Sequence, residues 1–470
     1  MDRAVITLIA LIVYIALISL IGIYNRKSKN SEEYFFAGRK LSPSLLAITF
    51  IASWWGGGSA VDLVDQAHRI GISSFWIYGV PVLIATAGMW ILSGIIRRSS
   101  GFTQPQMLIK RYGPKSALLL SIFILISMIL SAAVQVIVIG NMFQLLFHWS
   151  YPLAATVGTL GVLIYSFFGG FKGVVLTDLL QFVLFLFASV FLFFYCYDKA
   201  DGFQPMLQEV SRLDKVGYTS FFYKLTDNLP YIITFGSAWV IQANVWQRMS
   251  AARSPRDAKR MMGLSFFIFI PLYLMVTLTG MLSFTLFETI PEGGIVMAII
   301  GQIQQPVIAV LLFVGLCSAI MSTMDSLINT ASLTATIDIY QTHFFSNCSQ
   351  KQMVTIGRIS TLFIALLALF IGIRIRSVLQ VSWIGGDFLA TGAFVPIIMG
   401  FIWEKGREKA ALGSMVWGLC FSTYNLLVSL GLPFPTYWKI ASAQQAFLGM
   451  AISFVIYMAL AFSERKKEMV

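Results

Sequence analysis

Charge is what this chain is short of. Asp, Glu, Lys and Arg make up only 11% of its 470 residues, against about 25% in soluble domains. A surface so poor in charge cannot be wetted as a soluble protein's is. Cysteine is scarce too: Cys196, Cys317, Cys348 and Cys420 lie in or beside different apolar runs without paired spacing. That excludes a disulfide framework and a thiolate metal centre. The three histidines, His68, His148 and His343, fall at loop edges, which gives a histidine proton relay little to build on. Polar stretches are short, and only residues 198–228 form a sizeable loop; no soluble domain, low-complexity tract or short repeat is visible. No nucleophile with its base, metal triad or phosphate loop is present, so the pattern does not point to an enzyme.

What the chain has in abundance is apolar length. It is 57% hydrophobic with a mean hydropathy of +0.79, and about 13 segments approach the roughly 20 residues that span a bilayer as a helix. They run approximately 4–24, 44–66, 72–96, 116–147, 151–169, 174–197, 229–248, 261–287, 303–341, 352–373, 378–403, 410–431 and 443–463. The reading is an integral, multi-pass, all-α membrane protein whose partner is the lipid bilayer. The first segment resembles a signal peptide only superficially: it is long, lacks a small-residue cleavage site and is followed by Arg26, Lys27 and Lys29. With the N-terminus outside, 24 of the 33 Lys and Arg fall in cytoplasmic segments. The nine others are Arg3, Arg69, Lys199, Arg212, Lys215, Lys224, Arg374, Arg376 and Lys439. This is the positive-inside asymmetry, and an odd span count puts the C-terminus inside too. The net charge of +12 therefore reports topology. Scattered over short loops, it offers no surface for nucleic acid, and no partner protein is implied.

The informative residues interrupt the apolar runs. Ser322, Asp325, Ser326 and Asn329 follow i, i+3, i+4, i+7 spacing in the ninth span, with Thr323 beside them, so they share a helix face. Such a stripe must meet protein, water or a cation, because polar groups in a membrane helix mark ion and substrate paths. In the second span Gly56, Gly57 and Gly58 follow Ser53-Trp54-Trp55. Each glycine costs a helix about 1 kcal/mol relative to alanine, so the triplet favours unwinding; close helix packing through small residues is the alternative. Spans two to eleven divide five and five about the 198–228 loop, as in inverted-repeat transporters, which break one helix per half. The matching seventh span, 237–248, is polar but lacks a glycine break of equal strength.

Four stretches carry a resemblance. They are Phe36-Ala37-Gly38-Arg39, the run from Gly169 to Gln181 (GGFKGVVLTDLLQ), Gln247-Arg248, and Ala319-Ile320-Met321-Ser322-Thr323-Met324-Asp325-Ser326. Across about residues 30–405 the chain resembles the sodium:solute symporter family, whose branches include bacterial proline and pantothenate carriers and a choline transporter. The resemblance implies a LeuT-type 5+5 inverted-repeat fold within a single transporter domain, 1–470. An extra N-terminal span (4–24) would precede repeats at 44–197 and 229–403, and two C-terminal spans (410–463) would follow. It also implies sodium as the coupling ion, with no cofactor. Its ligands would be the carbonyls of Ala52, Trp55 and Ala319 and the hydroxyls of Ser322 and Thr323; hydroxyl back-bonding to the preceding turn is the alternative for the last two. Asp178, Asp325 and Ser326, with Ser322, would form a second cation or proton site, although Asp325 stands where some members have serine. Asp178 in a structural network is the competing reading.

The implied solute pocket comprises Trp54, Gly57, Ser59, Tyr78, Gln242 and Asn244. Trp54 matches an aromatic of the choline branch, where a ring face can hold a quaternary ammonium. Gln242 departs from that branch, and Trp54 departs from the proline carriers. Asp62 and Asp65 lie near the outer mouth, and Asp387 follows Gly385-Gly386 close to an expected helix interruption. The expected function is sodium-coupled symport of a small organic solute (an amino acid, quaternary amine or organic acid) by alternating access, in a bacterial inner (plasma) membrane. The alternatives are a proton-coupled symporter using Asp178 and Asp325, a passive channel, and a solute sensor, for which the short basic tail to Val470 supplies no signalling domain.

Overall fold

The computed structural model describes residues 3–24, 30–99, 103–403, 406–429 and 442–468. Arg26, Lys27, Lys29, Lys405, Lys439 and Val470 lie outside the described residues.

The described chain is helical throughout: α1 (Arg3–Tyr24), α2 (Ser31–Phe36), α3 (Pro43–Trp54), α4 (Leu63–Ile70), α5 (Gly79–Arg98), α6 (Gln104–Phe147), α7 (Tyr151–Lys199), α8 (Phe203–Arg212), α9 (Leu225–Val240), α10 (Ala243–Ala251), α11 (Pro255–Leu282), α12 (Ile295–Gln302), α13 (Pro306–Leu333), α14 (Gln350–Arg374), α15 (Val378–Asp387), α16 (Val395–Ile402), α17 (Glu408–Ser429) and α18 (Ser442–Glu468). Local chemistry starts several of them. Ser42, Thr103 and Ser254 each accept a backbone N–H three residues on, with a proline in the first turn, where its missing N–H is harmless. Ser349 and Gln352 close a capping box on α14.

Ten helices among the described residues are long and apolar enough to cross a membrane, with shorter apolar helices at Pro43–Trp54 and Tyr151–Phe167. The tally differs from the expected thirteen for physical reasons. The second half of span two, with α4, joins α5 through the tight turns of Gly71–Trp76, so that spans two and three meet in one stretch, Gly58–Arg98. Span five, at 151–167, is short. Span seven is two helices, α9 and α10.

The helix α13 is the hub, packed on α7, α6, α3 and α1. Its span is 83% buried, against 28% for that of α1, which sits at the rim. The helices α5, α11 and α9 pack together on another side, while α17 and α18 pair and cover the wide π-type turns at Phe388–Phe394.

The 198–228 stretch, expected as a plain polar loop, contains α8 and folds back on the C-terminal end of α4. Trp76 Nε1 donates to Phe221 O at 2.6 Å and Ile72 N–H to Tyr218 O at 2.9 Å. Met206, Val210 and Tyr218 form a small core with Ala67, Met281 and Phe284.

Candidate functional site

Two membrane helices break at facing points. The first break is where the glycine triplet predicts it: α3 ends at Trp54, and Trp55 adopts φ −81°, ψ 58°. The reason for glycine differs from the expectation. Gly57 has ordinary helical angles (φ −56°, ψ −34°), so freedom of the backbone is not what it supplies. A Cβ there would lie 2.5 Å from Val138 Cγ2, and one at Gly56 would lie 2.7 Å from Gln135 Oε1. The glycines let α6 press against the break, where Gln135 Oε1 accepts the Gly57 N–H at 3.0 Å. An amide freed at the break is thereby satisfied by a side chain.

The second break, between α9 and α10, uses no glycine. Gln242 is extended at φ −64°, ψ 115°. The carbonyls freed there are taken by one local and one distant donor: Trp246 Nε1 to Val240 O at 2.8 Å and Gln104 Nε2 to Ile241 O at 2.7 Å. Gln104 is 137 residues away, which is why local sequence hides this break.

Between the breaks lies a cavity of about 110 Å³. Trp54, Ser59, Tyr78, Gln242 and Asn244 line it, as does Thr323. Gly57, expected in the same pocket, instead lines a separate cavity of about 710 Å³ with Asp62, Asp65, His148 and Glu292. Tyr78 donates to Asp62 Oδ2 at 2.9 Å between the two cavities, and Asp65 Oδ1 accepts the Ile295 N–H at 2.8 Å. His68, in the last turn of α4, is buried, with Nδ1 2.9 Å from Ser283 Oγ.

Residue-by-residue reading missed an aromatic wall. Phe235 and Trp239 stack at 4.9 Å and 3°, and Trp383 stacks on Phe235 at 4.7 Å. Tyr78 stacks on Phe235 and Trp239 at 6.3 Å each, and Trp54 meets Trp239 edge-on at 5.4 Å. The signal was available: Tyr231, Phe235 and Trp239 recur every four residues on α9, as Ser127, Ser131 and Gln135 do on α6.

Of the expected sodium ligands, Thr323 Oγ1 lies 3.1 Å from Ala319 O and 3.5 Å from Ala52 O, drawing those two carbonyls and a hydroxyl together at the first break. Trp55 follows there, its ring buried between Phe185 and Tyr273. Ser322 turns away and donates to Asp178 Oδ1.

Asp178 is also bonded by Thr49 and ion-paired with Arg248 Nη2 at 3.3 Å, both side chains fully buried. The same Nη2 donates to Ser326 Oγ at 2.8 Å, and Arg248 Nη1 donates to Asn244 O at 3.0 Å. Arg248 stood in the sequence only as part of a terminal Gln-Arg pair. Here its permanent charge lies between Asp178 and Ser326, two members of the expected second cation or proton site. Asp178 thus already has a counter-charge. Asp325 accepts from Ser326 Oγ at 3.3 Å, while its Oδ2 has no hydrogen-bond partner.

Two broken helices enclosing a cavity inside a bundle of apolar helices define a membrane transporter. Over residues 34–418 the chain matches the sodium:solute symporter family model, and it belongs to that family. It is 26% identical over 443 residues to the osmoregulated proline transporter OpuE of Bacillus subtilis, covering 90% of this chain and 89% of that one. It is 25% identical over 449 residues to the sodium/proline symporter of Escherichia coli (87% and 86% covered) and 24% identical over 473 residues to the sodium/glucose cotransporter of Vibrio parahaemolyticus (90% and 85%). Its fold is similar to that of a Na+-coupled sialic acid symporter solved in a substrate-bound outward-open state, with TM-score 0.81 at 17% identity over 98% of both chains.

Proposed function

We propose that the chain is a sodium-coupled symporter of a small ammonium-bearing solute, an amino acid or quaternary amine, in a bacterial inner membrane. One observation carries the coupling. Thr323 belongs at once to the cavity wall and to the cluster of Ala52 and Ala319 carbonyls. A sodium ion at that cluster would fix α3 against α13 and thereby shape the cavity. Neutral oxygens suit a monovalent cation that must also leave.

The cavity chemistry supports the solute class. No side chain lining it is charged. The aromatic faces of Trp54, Tyr78 and Trp239 suit an ammonium, and Gln242, Asn244 and the wall hydroxyls suit a small polar end. At about 110 Å³ the space is smaller than the ~150 Å³ that accepts benzene in an apolar cavity, which favours a solute of a few heavy atoms. Proline, the solute named for several relatives, is of this size and carries a ring ammonium. Transport would proceed by rocking of the two five-span halves about the breaks, with the N-terminus outside and the C-terminus inside. The driving force is about 2.3 kcal/mol per charge per 100 mV plus the concentration gradient.

A proton as coupling ion is the second reading, favoured by the unpartnered Oδ2 of buried Asp325. The test is thermal unfolding of the purified protein in sodium against potassium, with proline, betaines, choline and organic acids added at saturating sodium. Sodium-specific stabilisation lost in Ser322→Ala/Thr323→Ala is the expected result, with an ammonium-bearing solute adding to it. Stabilisation equal in both salts would remove sodium and bring the proton reading forward.

A further inference from the structure

Asp178, Asp325, Asp338 and Asp387 are all buried within the helix bundle. Among the described residues the ion pairs are Arg39–Glu32, Arg212–Glu209 and Arg248–Asp178, so one of these four has a cationic partner. A buried carboxylate without one must be neutralised, because desolvating a lone charge costs far more than a fold can supply. Asp338 rests on Thr103 and Asp325 lies beside the Arg248 network. Asp387 stands apart, with Asn425, Ser422 and Thr391 around it among the described residues.

It ends α15, where the helix widens into the π-type turns of 388–394, a distortion common at functional sites. The residue is 8% exposed. Its Oδ2 accepts from Asn425 Nδ2 at 3.2 Å, and its Oδ1 has no hydrogen-bond partner among the described residues. Ser422 also acts on the carboxylate. Ser422 and Thr391 hydroxyls lie 2.6 Å apart, and Thr391 Oγ1 donates to Asp387 O at 2.7 Å. One carboxylate is thus gathered with two hydroxyls from two facing elements, oxygens that suit a monovalent cation, while the Asn425 amide N–H holds the carboxylate in place.

We propose that Asp387, Thr391, Ser422 and Asn425 form a binding site for one monovalent cation, sodium or a proton, distinct from the ion position at the first break. A single positive charge leaves the site neutral; a divalent ion would leave it buried and charged. Occupancy is felt by the solute cavity, because Gly386 and Leu389, flanking Asp387 in the chain, line that cavity. The site also ties α17, outside the two five-span halves, to the cavity wall. This proposal goes beyond the symport reading and does not depend on which ion binds at Thr323.

The test uses the purified full chain as wild type, Asp387→Asn and Ser322→Ala/Thr323→Ala. Two quantities are counted: sodium-22 bound per chain by scintillation proximity, and protons bound per chain between pH 5 and pH 9. Asp387→Asn is expected to lose one sodium, if sodium is the ligand, or one proton, if a proton is; the Ser322/Thr323 variant retains that one. Asp387→Asn keeping both counts at wild-type values overturns the site. Should the asparagine variant not fold, Ser422→Ala keeps the carboxylate and removes one oxygen. It is then expected to weaken sodium at this site about tenfold, the loss of one charge-assisted contact, or to move the pH of proton uptake. Absence of both changes would equally overturn the proposal. Loss of sodium from the Ser322/Thr323 variant alone, with the proton count of Asp387→Asn also unchanged, would leave the symport reading standing and this one fallen.

Discussion

Arg248 has no contact with solvent, and its guanidinium is shared by Asp178, Thr49, Ser326 and the Asn244 carbonyl. Removing one partner of a fully buried pair strands the other, at about 3–5 kcal/mol, whereas removing both can be nearly neutral. Arg248→Met should therefore lower the unfolding midpoint strongly, and Arg248→Met/Asp178→Leu should recover part of the loss. A single variant as stable as wild type would show that the pair holds nothing together. Trp239 tests the solute class at the same scale. Its stack with Phe235 and its edge contact with Trp54 present an aromatic face worth about 0.5–2 kcal/mol to an ammonium. Trp239→Leu should weaken apparent solute affinity about 2- to 30-fold, with Trp239→Phe between the two. Equal transport by all three would exclude an ammonium held on that face.

Elements in this fold are positioned by where helices stop being regular. Inside α7, Gly170 adopts φ 53°, ψ −164°, a conformation essentially restricted to glycine. A Cβ there would also stand 2.8 Å from the Tyr34 carbonyl oxygen. This single residue turns the chain between 151–167 and the arm that carries Asp178 to α13. Gly170→Ala should destabilise by about 1–3 kcal/mol or more, read as lost thermal stability and yield. Gly173, whose added Cβ would meet only Gly22 Cα at 3.7 Å, is the matched control, and Gly173→Ala should be tolerated. The two breaks around the cavity show contrasting designs. One is announced by Gly56-Gly57-Gly58. The other is held open by Trp246, six residues on, and by Gln104, whose bond across 137 residues has no local signature.

For the whole molecule, the distribution of basic residues predicts an external N-terminus and a cytoplasmic C-terminus. Cys348, in the turn between the ninth and tenth spans, is a natural reporter. A membrane-impermeant maleimide should label it in inside-out vesicles and leave it untouched in right-side-out ones. Ser220→Cys, exposed in the outer 198–228 stretch, should show the reverse in a Cys348→Ser background. Matching labelling from one side only would overturn the orientation. That stretch also shows how far surface composition misleads: it looks like an idle polar loop, yet its Tyr218 and Phe221 carbonyls hold the turn after α4.

Composition by itself determined that the chain is a membrane protein, because an apolar surface of this extent has no other solvent. Helical periodicity determined that Ser322, Asp325, Ser326 and Asn329 face inward, since the alternative is polar groups in lipid. The motif at 319–326 and the glycine triplet pointed to the family and to the first break. Tertiary structure alone decided which of these groups meet. Arg248 reaches Asp178 across 70 residues, Gln104 reaches the second break across 137, and Asn425 reaches Asp387 across 38. In a medium without water every charge and freed backbone group must find a partner inside the protein. Nothing in the sequence near either residue says which partner that will be, because the match is made by the packing of helices far apart in the chain.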